Sequence, residues 1–233
     1  MKVIFVGPSL PDAASVAGDG IIIRPPAVQG DVAAALRDGA SVIGIVDGGF
    51  EYTAPVWHKE ILLALSQNVP VYGASSMGAL RAAECRAFGM IGVGRIFEEY
   101  MCGATVDDAD VALLHAPAEF GWKPLTVPLV NVRATLDRLE AQGALARDTR
   151  LVIETAAAQI FFKERTWRSV VDGYGLTEVS ERKEMHSMLV SNAVDQKRID
   201  ALALLEAVRA AAPGALRHEM SWQIAETSFF SRH

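Results

Sequence analysis

Two hydrophobic rhythms succeed each other along the first hundred residues. KVIFVG (2–7) is an unbroken apolar, β-branched run stopped by Gly-Pro, as expected of a central parallel strand. GIIIRPPA (20–27) is a second short run, ended by Pro25 and Pro26, and SVIGIVDG (41–48) a third that finishes on Asp47. VPVYG (69–73) is the fourth. Between these runs the period changes from two to that of a helix. GDVAAALRDGA has Asp31 near its amino end and Gly39 at its close, and PVWHKEILLALSQN (55–68) sets apolar residues at 57, 61, 62 and 65. SMGALRAAECRAFG predicts the helix that follows the fourth strand. Strand and helix in alternation predict an α/β fold with a mostly parallel sheet and flanking helices.

After residue 103 the texture changes. TVDDADVALLHAPAEFGWKPL opens with an acidic cluster suited to capping a helix and passes into a Pro/Gly-rich loop. A helical pattern resumes near Asn131. TRLVIETAAAQIFFKERTW, TEVSERKEMHSMLVSNAVD and QKRIDALALLEAVRAAA then read as helices rich in Ala, Leu, Glu and Lys. The expected organisation is an α/β core over 1–130 and a mainly helical extension over 131–233, with a soft boundary that also suits one continuous domain.

At 233 residues, 51% hydrophobic and 21% charged, the chain is long and apolar enough to bury a sizeable core. Its apolar fraction raises the expectation of burial against a partner or a second copy, hence a homo-oligomer. The net charge of -6 argues against a nucleic-acid or anionic-membrane surface, which needs clustered Lys and Arg. Cys85 and Cys102 are too few for a disulfide framework and read as reduced, partly buried thiols. No window approaches the roughly 18 apolar residues of a membrane span. MKVIFVGPSL reads as a buried strand instead of a signal peptide, and the expectation is a cytoplasmic protein.

Ligands of doubly wound sheets bind beyond the carboxyl ends of the strands. Ser9, Asp47, Glu51, Ser75 and Ser76 all follow strands and are expected on one rim. Ser76 has small residues, Ala74 and Gly78, two before and two after it, the spacing of a nucleophile on a tight strand-to-helix turn. The other reading makes Ser75 or Ser76 an ordinary helix cap. ASSMGA also resembles the Ser-Met-Gly-Ala stretch around the nucleophile of Clp-type proteases. A serine needs a base. His58 stands on the first turn of the helix after Asp47, and His115 follows Ser76 close to several carboxylates, and the two stay open as alternatives. His186, His218 and His233 fall in helical or terminal segments.

Asp47 and Glu51 in VDGGFEY bracket two glycines, which suits a site needing close backbone approach better than core packing. Such acids orient a His, bind Mg2+ or hold an ammonium; the bland reading is a turn after the strand. Arg81 and Glu84 pair at i and i+3 on one helix face. GMIGVGRIF (89–97) resembles a dinucleotide fingerprint only superficially, because the predicted element before it is a helix. Neither a metal ligand set nor a cofactor motif is expected.

GPSL, RPPAVQGD, IGIVDGGFE, VWHKEILLAL, VYGASSMGALRAAE, FGMIGVGRIFEEY and DDADVALLHAP together resemble the TfuA-like family, over about the first 120 residues. The resemblance implies a partner of ATP-using YcaO enzymes in trifolitoxin-type peptide modification, assisting backbone thioamide formation. It also implies hydrolysis of a thiocarboxylated ThiS-like carrier to free sulfide. The precursor peptide is a further expected partner. Ser76 with His58 and Asp47 is the favoured catalytic set, and Arg81 the nearest source of positive charge for an ionised thiocarboxylate. Two other classes compete: a non-catalytic partner that docks and activates YcaO, and a small-molecule or nucleotide-binding module using the same rim.

Overall fold

The apolar runs of the first half form parallel strands whose side chains alternate between two covered faces. In the computed structural model, which describes residues 1–49, 51–214 and 222–224, the order is β1 (Lys2–Phe5), α1 (Ala13–Val16), β2 (Ile21–Arg24), α2 (Asp31–Arg37), β3 (Val42–Ile45), α3 (His58–Ser66), β4 (Val71–Ala74), α4 (Met77–Cys85), β5 (Ile91–Val93) and α5 (Arg95–Cys102). Five further helices follow: α6 (Leu129–Ala141), α7 (Arg147–Ala158), α8 (Trp167–Tyr174), α9 (Val179–Ser191) and α10 (Gln196–Ala210). His218 and His233 lie outside the described residues. The strands make one sheet in the order β2-β1-β3-β4-β5, every neighbouring pair parallel. The fold is therefore α/β in its first half and mainly helical in its second.

Period two sorts the sheet into its faces. Val3, Phe5, Ile43, Ile45 and Val71 pack against Val32 and Ala35 of α2, Ile61, Ala64 and Leu65 of α3, and Ala82 of α4. Ile4, Val6, Val42, Val46 and Ala74 face the other way, onto Ala13 of α1 and onto Ala201, Leu204, Leu205 and Val208 of α10. Each such fully buried Val, Leu or Ile contributes about 1.5–3 kcal/mol. Helix α10 thus returns from the far end of the chain to cover the sheet. Gly44 permits the approach: a Cβ there would lie 2.8 Å from Leu204 Cδ2 and 3.1 Å from Val208 Cγ2. Helices α6 to α9 share a separate core, with Leu136, Leu139, Ile153, Val170 and Leu189 at its centre.

Two details depart from the sequence expectation. A strand, β5, stands before Gly94 where a helix alone was expected. The helical run predicted over 149–167 stops at Ala158, because the Arg165 guanidinium folds back on it, donating from Nε to the Ala157 carbonyl and from Nη2 to that of Ile160, both at 2.9 Å. A positive group on the last carbonyls of a helix satisfies acceptors that no further turn supplies. Helix α8 then restarts at Thr166, whose hydroxyl accepts from Ser169 N at 3.1 Å. No helix among the described residues is long and apolar enough to cross a membrane.

The turn from β4 into α4 is the tightest packing in the sheet layer. A Cβ on Gly78 would collide with the Ile45 carbonyl oxygen, and one on Gly73 with the Gly78 carbonyl oxygen, both of them backbone atoms that have no rotamer to move. The Gly78 N–H instead donates to Val46 O at 3.1 Å, tying the first turn of α4 to the end of β3. Gly78→Ala is therefore expected to lower stability by about 3 kcal/mol or more, read as a lower urea midpoint with an unchanged slope; an unaltered midpoint contradicts this packing. The thiols give a second check. Burial pushes the Cys85 thiol up to about 11, while Cys102 is exposed. A disulfide reagent at about pH 8 should titrate one thiol in the native chain and both after denaturation.

Candidate functional site

The rim of the sheet is organised by a buried carboxylate. Where the strand order reverses, between β1 and β3, the two carboxyl-end loops diverge and leave a crevice. Asp47, at the end of β3, reaches across and accepts from Gly7 N at 2.9 Å, Ser9 N at 3.0 Å and Ser9 Oγ at 2.6 Å. Asp47 and Ser9 are both buried, so the Asp47 turn is held by the loop of another strand and not by its own. Beyond the end of β1, the chains after β2 and β3 pair directly: Ala27 N donates to Asp47 O at 2.9 Å and Gly49 N to Ala27 O at 2.8 Å.

Above this floor lies a cavity of about 510 Å³. Asp47, Gly48, Gly49, Glu51, Ser76, Asp108, His115, Lys163 and Lys197 contribute to its wall, with Tyr52, Met77, Trp122 and Phe162 as its larger apolar surfaces. Gly48 is small because Met77 of α4 fills the space beside it: a Cβ there would stand 2.8 Å from Met77 Cγ.

The turn before α4 divides the two serines. Ser75 takes a positive φ of 70° and is fully buried, and its hydroxyl has no hydrogen-bond partner among the described residues. Ser76 N donates to Ala74 O at 2.8 Å across it, a strained three-residue turn. Ser76 occupies the cap position of α4 but its hydroxyl makes no capping bond; its backbone carbonyl accepts from Ala79 N at 2.9 Å. Ser76 is partly exposed and lines the cavity at the amino end of α4, where helix amides favour negative charge.

The two histidines are placed differently. His58 is half exposed and donates from Nε2 to Glu84 Oε2 at 2.8 Å, since a carboxylate only accepts. Arg81 shares that oxygen at 2.5 Å and donates from Nε to Val56 O at 3.1 Å. His58, Arg81 and Glu84 thus form one cluster between α3 and α4, apart from the cavity wall. His115 is on the wall. Its Nδ1 stands 2.9 Å from Ala116 O, a carbonyl that can only accept, so Nδ1 is the donor, which makes Nε2 the accepting nitrogen of the neutral ring. The ring also meets Trp122 edge-on at 5.3 Å. No hydrogen bond joins Ser76, His58 and Asp47 among the described residues.

Glu51, at a positive φ of 58°, pairs with Lys163 Nζ at 2.6 Å, and Lys163 also donates to Tyr52 Oη at 2.8 Å. The bond to Glu51 chiefly holds the Lys163 proton tighter than usual, and the ammonium sits 4.9 Å above the Tyr52 ring. This pair joins the β3 loop to the segment between α7 and α8. Asp108 is drawn upward by burial and by its hydrogen bond with Asp107.

Sequence reasoning missed Lys197. It is buried on α10, donates to Val111 O at 2.8 Å and lies 4.0 Å from Asp47 Oδ1; burial holds its pKa below the usual lysine range. A legible signal existed, for positions 197, 201, 204, 205 and 208 form one helical stripe on which Lys197 is the only polar residue. Missed too was what occupies the glycine-rich GVGRIF turn. The Asp200 carboxylate accepts from Ile96 N at 2.8 Å and from Gln196 Nε2 at 2.7 Å, filling the amino end of α5 from inside the protein.

Comparison with curated proteins finds no match. A family model described as TfuA-like protein matches residues 47–166, more than half of the chain. The matched segment begins at Asp47 and takes in Ser76, His115 and Lys163 of the cavity wall. The family is associated with YcaO-type modification and with YcaO-type partners. The chain belongs to the TfuA-like family.

Proposed function

We propose that this chain hydrolyses a thiocarboxylated, ThiS-like carrier at the rim cavity and so frees sulfide for a YcaO-type, ATP-dependent enzyme that forms peptide backbone thioamides. One observation carries the reading: Ser76, whose hydroxyl makes no capping bond, stands at the amino end of α4 on the wall of the same cavity as His115, whose Nδ1 is engaged by Ala116 O. The carrier's tail enters the cavity, whose wall includes Gly48, Gly49 and Ser76.

In the first half-reaction Ser76 Oγ attacks the carbonyl carbon of the thiocarboxylate and His115 Nε2 takes the hydroxyl proton. The charge that develops on oxygen faces the α4 amino terminus. Collapse breaks the carbon–sulfur bond, sulfur takes the proton from His115 and leaves as hydrosulfide, and the carrier remains as a serine ester. Water, deprotonated by the same histidine, then cleaves the ester to the carrier carboxylate and restores Ser76. His115 replaces His58 in this scheme because the His58 ring is engaged with Glu84 in a separate cluster. Asp47 has a positioning role: it fixes the β1 loop and the floor, while Ala116 O does for His115 the orienting work of a triad acid.

A second reading has support of its own. Tyr52 is 82% exposed at the cavity mouth and Phe161, near Lys163, is 53% exposed, an apolar margin suited to a protein partner. A chain that only docked YcaO would use this margin without Ser76.

Sulfide release from a thiocarboxylated carrier separates the two. Ser76→Ala should lower the rate by about a thousandfold and His115→Ala by about a hundredfold, with thermal melts and YcaO binding unchanged. His58→Ala should stay within about twofold of wild type, having no place in the proton path. Full activity in Ser76→Ala would assign the attack to an activated water, and no sulfide release by the wild-type chain would leave docking as the function.

A further inference from the structure

Lys197 is 2% exposed, yet the structure gives its ammonium one hydrogen bond, to the neutral Val111 carbonyl. The nearest carboxylate oxygen, Asp47 Oδ1, is 4.0 Å away, beyond hydrogen-bond range. Asp47 is already satisfied by Gly7 and Ser9. An ammonium has three donors, and a buried cation with so little compensation is costly to keep. The expense has a destination. Lys197 forms part of the wall of the rim cavity and also of a second cavity of about 490 Å³ toward Trp167 and His186, so the residue borders both. It is reached from α10, outside the segment that the family model matches.

An acyl tail that ends in an anion poses the complementary problem. A negative terminus repels an oxygen nucleophile and loses hydration when it enters an apolar cavity. Arg81, the cation closest to Ser76 in sequence, is bound to Glu84 and Val56 O, and Lys163 is held by Glu51. Lys197 alone of the three has no carboxylate within hydrogen-bond range among the described residues. We infer that Lys197 is the anchor for an anionic acyl terminus, a carboxylate or thiocarboxylate, which it binds by a charge-assisted hydrogen bond beside Ser76. The inference rests on reading the rim cavity as an acyl-transfer site but requires no turnover, because the carboxylate product presents the same group.

The test compares binding of the ThiS-like carrier ending in a free carboxylate with the same carrier ending in an amide. Wild type should prefer the carboxylate by about tenfold or more, as a charge-assisted hydrogen bond provides. Lys197→Met should abolish the preference, and Lys197→Arg should retain part of it. Acylation of Lys197 in the wild-type chain, read by mass spectrometry, should be blocked by the carboxylate carrier and not by the amide; this decides the matter if Lys197→Met fails to fold. Equal binding of the two carriers by wild type, or a preference that survives Lys197→Met, overturns the inference. Lysine-dependent selectivity without sulfide release would sink the hydrolase reading and leave the anchor standing. Sulfide release with an unchanged KM in Lys197→Met would do the reverse.

Discussion

The carboxylate of Asp47, taken out of water at the point where the strand order reverses, sets the geometry on which the rest of the rim depends. A buried carboxylate is tolerable only when its oxygens are filled, and here two backbone amides and a hydroxyl from the loop after β1 fill them. That requirement locks two loops that diverge at the edge of the crevice. With them fixed, the chain after β3 pairs with the chain after β2, and Gly48 comes to rest against Met77 at the first turn of α4. The position of the Ser76 hydroxyl is therefore a consequence of a hydrogen-bonded acid nearly thirty residues earlier in sequence.

The sheet layer was legible because its causes are local. The runs 2–7, 41–48 and 69–73 carry their own strand pattern, Gly39 marks a helix end with a positive φ of 87°, and Gly78 marks a close approach to Ile45 O that admits no side chain. What stayed hidden depends on partners far along the chain. Helix α10 is amphipathic by sequence, yet nothing in residues 196–210 says that its apolar stripe meets Gly44 of β3 instead of the bundle. The break after Ala158 needs the Arg165 guanidinium to turn back, and β5 is only three residues long.

The candidate site divides along the same line. Asp47, Glu51 and Ser76 gathered on one cavity wall, with Ser9 bonded to Asp47 beneath it, because strand ends place them there, which topology predicts. The histidines show the limit of that logic. His58 begins a helix on the correct side of the sheet, but Glu84, from the neighbouring helix, claims its ring. His115 sits in an irregular loop whose course follows from the Leu125 N to Leu114 O and Ala116 N to Lys123 O bonds, which no periodicity announces. Charge reads in a similar way: Arg81 is nearest Ser76 in sequence, while Lys163 and Lys197 are the cations on the cavity wall.

Ser76 as nucleophile is the central claim of this account, and trapping the ester tests it most directly. The protein, and its His115→Ala variant to slow release of the ester, would be mixed with thiocarboxylated carrier, quenched in acid at short times and weighed intact. The account predicts a species with the mass of protein plus carrier less one hydrogen sulfide, mapping to the peptide that contains Ser76. Sulfide release with no such species in either protein at any time would contradict it and assign the attack to water.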